Sequence, residues 1–342
     1  MTAIIVFLAL TLLSYISVAY IRRLALRYNI LDTPNERSSH SIPMPRGGGV
    51  AIVILALITS IIFADQTQAN RSLIYIVLGA ILALVGWRDD LVSLSANYRF
   101  VVQGLVAIIS MLEMGYFRVV RVPLIGDLDL GVVGIVITFL WIIGMINAYN
   151  FMDGIDGMAG GVAVVAGVGW MILSANVNNS FVFWVALAIA ATNLGFLGHN
   201  WAPAKIFMGD VASTFLGYSF AVLPLLSASQ TGDALTVGTL LMWIVIMDTF
   251  MTFLRRLIRG ENVFSGHRSF LFQQLVIGGY KHATISALYI FLTALAVLLS
   301  YEWSHGDTVA PLLIFIGLPL IWILMSMHAA NLRGAAPISD KK

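Results

Sequence analysis

The sequence predicts an all-α, polytopic helical bundle set in a membrane, and three observations carry that reading. Hydrophobic residues make up 59% of the 342-residue chain and charged residues only 11%, with a mean hydropathy of +0.92. A water-soluble globule of that composition would have too little polar surface to cover itself. Apolar runs of about 20 residues, the length that crosses ~30 Å of hydrocarbon, recur along the chain. The Lys and Arg residues crowd into alternate loops between those runs. The chain has no cysteine, which excludes disulfides and thiolate metal sites.

Eleven runs qualify, near residues 3–21, 48–64, 72–87, 100–117, 131–148, 158–175, 181–199, 212–229, 235–254, 282–300 and 309–327. The first is preceded by no basic residue and followed by Arg22, Arg23 and Arg27. That is the reverse of a cleavable signal, so it is read as a retained span with the N-terminus outside and, after eleven crossings, the C-terminus in the cytoplasm. Under this assignment 16 of the 19 Lys and Arg lie inside, and only Arg71, Arg118 and Arg121 lie outside. Residues 1–342 form one transmembrane catalytic domain in this reading, its active-site loops on the cytoplasmic face. The outer segment 118–130 holds Pro123 and Gly126-Asp127 between apolar residues, which predicts a small hairpin.

The polar clusters all fall in the cytoplasmic loops, although the charge count made no use of them. In the first loop, Pro34, Pro43 and Pro45 lead to Gly47-Gly48-Gly49, and Arg37, His40 and Arg46 can meet anionic oxygens. Such a loop also satisfies the charge rule with no further role. The second loop begins at Asp89-Asp90. Adjacent helical residues diverge by about 100°, so the pair is expected to hold two different tasks. The third is Asn150-Phe151-Met152-Asp153-Gly154-Ile155-Asp156-Gly157. If helical, Asn150, Asp153 and Asp156 form one oxygen-bearing stripe suited to a hard cation. The glycines there let another helix or a ligand's phosphates come close to the backbone.

The fourth loop ends in Phe207-Met208-Gly209-Asp210, where Asp210 stands just before an apolar helix and a helix cap is the simplest role for it. The fifth opens with Arg255, Arg256 and Arg259 and contains His267-Arg268-Ser269. Its arginines suit anionic lipid headgroups or a pyrophosphate. Asp248, inside the ninth run, is an intramembrane acid and therefore a functional residue by default, or the partner of a nearby arginine.

Taken together, Pro45-Arg46-Gly47-Gly48-Gly49, Asp89-Asp90, the Asn150 to Gly157 cluster and Phe207-Met208-Gly209-Asp210 resemble the polyprenyl-phosphate N-acetylhexosamine-1-phosphate transferases of glycosyltransferase family 4, over about residues 30–275. Within that family the arm and the His267-Arg268-Ser269 run look closest to the enzymes that initiate O-antigen and related cell-surface glycans. The resemblance implies a reaction in the bacterial cytoplasmic (inner) membrane. A polyprenyl phosphate such as undecaprenyl phosphate attacks the sugar-linked phosphate of a UDP-N-acetylhexosamine, UMP leaves, and a lipid-linked sugar for lipopolysaccharide or cell-wall assembly remains. It also implies Mg²⁺, with Mn²⁺ as a substitute, held by Asp210 and one of Asp89 and Asp90, the other accepting a proton. By the same carry-over Asn150, Asp153 and Asp156 line the nucleotide-sugar site, Phe207 stacks on uracil, and Arg37, His40, Arg46, His267 and Arg268 serve the phosphates. The implied partners are the lipid, the sugar nucleotide and a second copy of the chain in a homodimer, with no nucleic acid. One departure stands out: where many relatives carry several histidines, this chain has Phe270-Leu271-Phe272-Gln273-Gln274.

Two rivals fit less well. A CDP-alcohol phosphotransferase needs an Arg soon after its first Asp-Gly and two later aspartates at helical spacing, which residues 157–170 lack. A transporter would set its polar groups near the bilayer midplane, whereas these crowd one face.

Overall fold

The computed structural model describes residues 1–34, 40, 42–176, 179–227, 233–262 and 267–335. In chain order the elements are α1 (Thr2–Arg27), β1 (Leu31–Asp32), β2 (Met44–Pro45), α2 (Gly49–Ile62), α3 (Ala69–Leu91), α4 (Ala96–Met114), β3 (Val119–Val122), β4 (Gly126–Asp129), α5 (Val133–Met152), α6 (Met158–Asn176), α7 (Ser180–Asn200), α8 (Asp210–Ser227), α9 (Asp233–Leu241), α10 (Trp243–Ile258), α11 (Leu271–Ile277) and α12 (His282–Ser304). The last helical stretch comprises α13 (Ala310–Leu312), a π-helical segment (Leu313–Gly317) and α14 (Leu318–Ala335).

Among the described residues each predicted run falls largely on helix, but the number of spans differs from eleven. Among the described residues eight helices are long and apolar enough to cross a membrane, or nine if α9 and α10, bent by 77°, form one broken span. Counting eleven requires α2 and α4 as well. With 14 residues α2 rises only about 21 Å, short of the hydrocarbon thickness. In α4 the polar Asn97, Arg99, Gln103 and Glu113 dilute an otherwise apolar helix.

The core sits around α8, which is buried from Val211 to Leu226 and packs against α3 and α5. A second buried helix, α7, lies against α1, α2 and α6. By contrast α1 turns Ile4, Leu8, Leu12, Ile16 and Tyr20 outward, a face suited to lipid chains rather than water. Many polar side chains inside the bundle find partners, as a low-dielectric interior favours. Ser60, Thr192, Thr293 and Ser300 donate to carbonyls one turn back on their own helices. Tyr75 on α3 meets Ser219 on α8 at 3.0 Å, and Ser110 on α4 meets Tyr218 on α8 at 3.1 Å.

The two ends of the bundle differ in construction. At one end the predicted hairpin forms, with β3 and β4 antiparallel and Arg121 opposite Asp127. Arg121 pairs with Asp127 at 2.7 Å and with Asp233 of α9 at 3.1 Å, which ties the hairpin to the bundle. At the other end the motif-bearing loops are sewn together by backbone hydrogen bonds. Phe207 N–H donates to the Pro45 carbonyl at 2.8 Å, and Gly48 and Gly49 N–H donate to the Phe207 and Met208 carbonyls at 3.0 Å each. The loop that ends at Gly48-Gly49 and the loop that ends at Asp210 thus form one surface.

Candidate active site

The site is built outward from the N-terminus of α8. The first N–H groups of a helix need acceptors from elsewhere, and Asp90 of α3 supplies them. Its carboxylate accepts from Asp210 N–H at 2.8 Å and from Val211 N–H at 3.2 Å. Two glycines let the helices come that close. A Cβ on Gly86 would lie 2.3 Å from the Asp210 carbonyl oxygen, and one on Gly209, whose φ is +80°, would lie 2.5 Å from Asp90 Oδ2. Because Asp90 does the capping, the Asp210 side chain is left to face the cavity.

Arginines bind these acids to one another. Arg46 Nη2 stands 2.7 Å from Asp90 and 3.2 Å from Asp210, while Arg99 Nη1 stands 2.8 Å from Asp89 and 3.7 Å from Asp210. Burial works against the Arg46 charge, yet Asp90 and Asp210 outweigh it and raise its pKa further. Asp89 also accepts from Leu94 N–H at 2.6 Å. The adjacent aspartates therefore hold different partners, Asp89 serving Arg99 and Asp90 serving Arg46 and α8.

The Asn150, Asp153 and Asp156 cluster is not a helical stripe. Helix α5 ends at Met152, Asp153 is its C-terminal cap residue, and a turn through Gly157 at φ +77° leads into α6. The turn nonetheless keeps all three residues on one cavity. Asn150 donates to Ser213 of α8 at 2.8 Å. Asp153 accepts from Gly209 N–H, and burial followed by the nearby Asp210 pushes its pKa well above the usual carboxylate value. Asp156 behaves oppositely. Burial raises its pKa, but hydrogen bonds from His282 and from Ala204 N–H, the latter at 3.0 Å, leave it lowered overall.

Two cavities meet here. A polar one of about 410 Å³ is lined by His40, Arg46, Asp153, Asp156 and Phe207, among others. A larger and more apolar one of about 570 Å³ runs between α4, α5 and α10 past Phe100, Ile143, Phe151 and Phe253. They share three residues: Asn150, Asp210 and Gln273. A further apolar groove of about 290 Å³ between α5 and α10 continues the second cavity through Gly144, Ala148, Thr249 and Phe253.

The predicted residues distribute unevenly over this geometry. Asn150, Asp153, Asp156, Asp210, His40, Arg46 and Phe207 all line the polar cavity, and Phe207 packs its ring edge-on against His40 with centroids 4.9 Å apart. Asp89 and His267 line only the apolar cavity. Burial and then Arg256 push His267 down to about 4, which leaves it neutral near pH 7. Arg268 is exposed and lines neither cavity, contrary to expectation; it precedes α11, and its carbonyl accepts from the Gln274 side chain. Arg37 lies outside the described residues. The arginines opening the fifth loop hold that loop: Arg255 donates to the Ser269 carbonyl, and Arg256 donates to the Asn262 carbonyl at 2.7 Å and pairs with Glu261 at 2.9 Å. Sequence reasoning missed Asp32, Asn200, Gln273 and His282 in the polar cavity and Arg99 in the apolar one. Of these, Asp32, Arg99 and His282 carried a signal as ionisable groups close to the ends of apolar runs, and Gln273 as part of the run that replaces the family's histidines.

Comparison with known proteins agrees with this architecture. Residues 72–228, from α3 through α8, match glycosyl transferase family 4. A Bacillus subtilis protein named as a probable undecaprenyl-phosphate N-acetylglucosaminyl 1-phosphate transferase is 33% identical over 279 residues, covering 80% of this chain and 76% of the relative. A Yersinia pestis undecaprenyl-phosphate alpha-N-acetylglucosaminyl 1-phosphate transferase is 30% identical over 84% of this chain and 79% of its own length. A Mycolicibacterium smegmatis decaprenyl-phosphate N-acetylglucosaminephosphotransferase is 28% identical over 86% of this chain and 78% of its own length. The chain belongs to the polyprenyl-phosphate N-acetylhexosamine-1-phosphate transferase family.

Proposed function

We propose that the protein transfers a sugar-1-phosphate from a UDP-N-acetylhexosamine to a polyprenyl phosphate at the cytoplasmic face of a bacterial membrane, releasing UMP. The observation that carries this reading is the wall of Asn150, Asp210 and Gln273 shared by a polar and an apolar cavity. One substrate is a water-soluble dianion and the other a long hydrocarbon ending in phosphate, and such a pair needs this junction. Relatives named for undecaprenyl and decaprenyl phosphates support the lipid acceptor.

The attacking group is a phosphomonoester with a second pKa near 6, so it is largely ionised at neutral pH. Its oxygen forms a bond to the sugar-linked phosphorus while the bond from that phosphorus to the bridging oxygen breaks, and the electron pair leaves with UMP. Both reactants are anionic, so the protein's main task is positioning and neutralisation. Arg46 and Arg99, held beside Asp210, bring positive charge to the junction. Phe207 offers a ring face for the uracil. Asp89 and Asp90 enter this mechanism as holders of Arg99 and Arg46 rather than as a proton acceptor and a metal ligand, because their oxygens are taken by arginine and backbone donors.

Mg²⁺ commonly binds through one or two carboxylates, with substrate phosphates and waters completing its shell. Among the described residues no three acidic or imidazole groups enclose one point, but Asp153 and Asp210, neighbouring carboxylates on the polar cavity, fit that sparse share. These two would hold the ion, which when bound neutralises the diphosphate. The split of basic residues between loops supports an outer N-terminus and a cytoplasmic C-terminus.

The test is to incubate purified protein with undecaprenyl phosphate, Mg²⁺ and a panel of UDP-N-acetylhexosamines. UMP is the expected product, and release of UDP instead would rule the reading out. Asp210→Asn keeps size and one oxygen but removes the charge, and is expected to cost at least ~100-fold in kcat, about 2.7 kcal/mol.

A further inference from the structure

Helix α1 ends in a basic patch that the active site does not use. Leu8, Leu12, Tyr15, Ala19 and Arg22 fall at the i, i+4, i+7 spacing of one helix face, and Leu8, Leu12 and Tyr15 are exposed on it. In a membrane that face meets acyl chains, and Arg22 stands where the chains give way to headgroups.

At that level three basic residues, from α1, α7 and the loop after α7, come together. Arg22 Nε donates to the Lys205 carbonyl at 3.1 Å, Lys205 N–H donates to the His199 carbonyl at 2.8 Å, and the His199 ring stacks on Tyr15 with centroids 4.4 Å apart. Gly198 lets the Tyr15 ring lie on α7, since a Cβ there would come within 2.7 Å of it. The charges that act on His199 are those of Lys205 and Arg22, both basic. Among the described residues no carboxylate pairs with Arg22, His199 or Lys205. Positive charges gathered without an acid repel one another and favour an anion beside them. The exposed stripe says which kind. Inorganic phosphate would use the basic end alone, whereas an anionic phospholipid sets its phosphate beside Arg22 and Lys205 and its chains along Tyr15, Leu12 and Leu8. No residue of α1, nor Lys205, lines either active-site cavity, so the position is separate from both.

We infer that Arg22, His199 and Lys205 bind the headgroup of one anionic glycerophospholipid of the cytoplasmic leaflet, and that the bound lipid steadies the loop 201–209. Ala204, next to Lys205, donates its N–H to Asp156 at 3.0 Å, and Phe207 follows two residues later. The lipid therefore acts on affinity for the donor. That effect rests on the sugar-nucleotide reading of the polar cavity, whereas the binding itself does not.

Binding is tested by native mass spectrometry of the full chain in detergent, titrated with phosphatidylglycerol or with phosphatidylcholine of the same chains. Wild type is expected to bind the first phosphatidylglycerol at least ~10-fold more tightly than phosphatidylcholine. Lys205→Gln, which leaves its backbone carbonyl to Arg22, and Arg22→Gln are each expected to cut that preference below ~3-fold. Arg27→Gln removes the same charge from the exposed end of α1 and is expected to keep the preference. Glycerophosphoglycerol, which is the headgroup without chains, and undecaprenyl phosphate, each in excess, are expected to leave the bound phosphatidylglycerol in place. The effect on the donor is read from UMP release in nanodiscs. In pure phosphatidylcholine the KM of Lys205→Gln for the UDP-sugar is expected within ~2-fold of wild type, and with phosphatidylglycerol present at least ~3-fold above it. Comparing variant with wild type in one membrane cancels the repulsion that an anionic surface exerts on an anionic donor. An equal loss in Arg27→Gln marks diffuse surface attraction and overturns the inference. Displacement by glycerophosphoglycerol assigns the patch to free phosphates, displacement by undecaprenyl phosphate assigns it to the acceptor, and either overturns it too, as does a KM ratio that is the same in both membranes. A wild type that releases no UMP overturns the proposed function instead, and the mass-spectrometric arm still decides the binding.

Discussion

At the scale of single residues, two of the three arginines expected to serve the phosphates part company. Arg46 sits between Asp90 and Asp210 on the polar cavity, whereas Arg268 is exposed and lines neither cavity. A guanidinium spans two acids and a phosphate with its planar fork, and an ammonium cannot. Arg46→Lys is therefore expected to lower kcat/KM for UMP release at least ~10-fold, about 1.4 kcal/mol, and Arg268→Lys less than ~3-fold; equal effects at both would return Arg268 to the site. Asp153 makes a different prediction, through stability. Its pKa in the folded protein lies above the unfolded value of about 4, so the fold prefers its protonated form. Stability is then greatest below the unfolded pKa and declines as pH rises toward the folded one. Metal-free Asp153→Asn is expected to melt ~2 °C or more above wild type at pH 8 and to lose that margin at pH 4. A lower melting temperature for the variant at pH 8 would assign the carboxylate a stabilising role instead. Residues such as Asp153, Asp156 and Asp210 were legible because an acid in an apolar chain demands an account. Asn200 was not, since a neutral amide near a helix is unremarkable until packing puts it on a cavity wall, and Gln273 stood out only as part of the run that replaces the family's histidines.

At the scale of elements, the junction of α3 with α8 decides whether the site exists. Its tightest point is Gly86, where any side chain meets the backbone of Asp210. Gly86→Ala is expected to displace the start of α8 and lower kcat/KM at least ~10-fold. Gly104→Ala on α4, whose nearest neighbour would be Phe139 at 3.9 Å, should leave activity unchanged and raise the melting temperature slightly, because alanine suits a helix interior better. Comparable activity in the two variants would show that α8 tolerates movement. The helices themselves were readable from hydropathy, since lipid imposes both length and composition on a span. Their breaks were not. Pro224 lies within α8 without ending it, while the chain turns 77° between α9 and α10 at Met242, with no proline there to announce it.

At the scale of the whole molecule, sidedness is the property that charge alone predicted. The chain has no native cysteine, so a single introduced thiol reports without background. Cysteine at Ser95, the cap residue of α4, is expected to react with a membrane-impermeant reagent only from the cytoplasm, and cysteine at Leu124, 72% exposed on the hairpin, only from outside. Labelling of both from one side would refute the span count between them. Convergence of the loops was not legible. The hydrogen bonds from Phe207 to Pro45 and from Asp210 to Asp90 join segments more than a hundred residues apart, and no local pattern encodes such pairings.

The wall shared by the two cavities also bears on how the reaction must be measured. On one side of Asn150, Asp210 and Gln273 the reactant arrives by diffusion through a volume, and on the other by diffusion within a plane. The second concentration is a mole fraction of the bilayer, to which the amount of buffer is irrelevant. Adding inert phospholipid at constant total acceptor should slow turnover in proportion to that surface dilution, while doubling the aqueous volume at constant UDP-sugar concentration should leave the rate per enzyme unchanged.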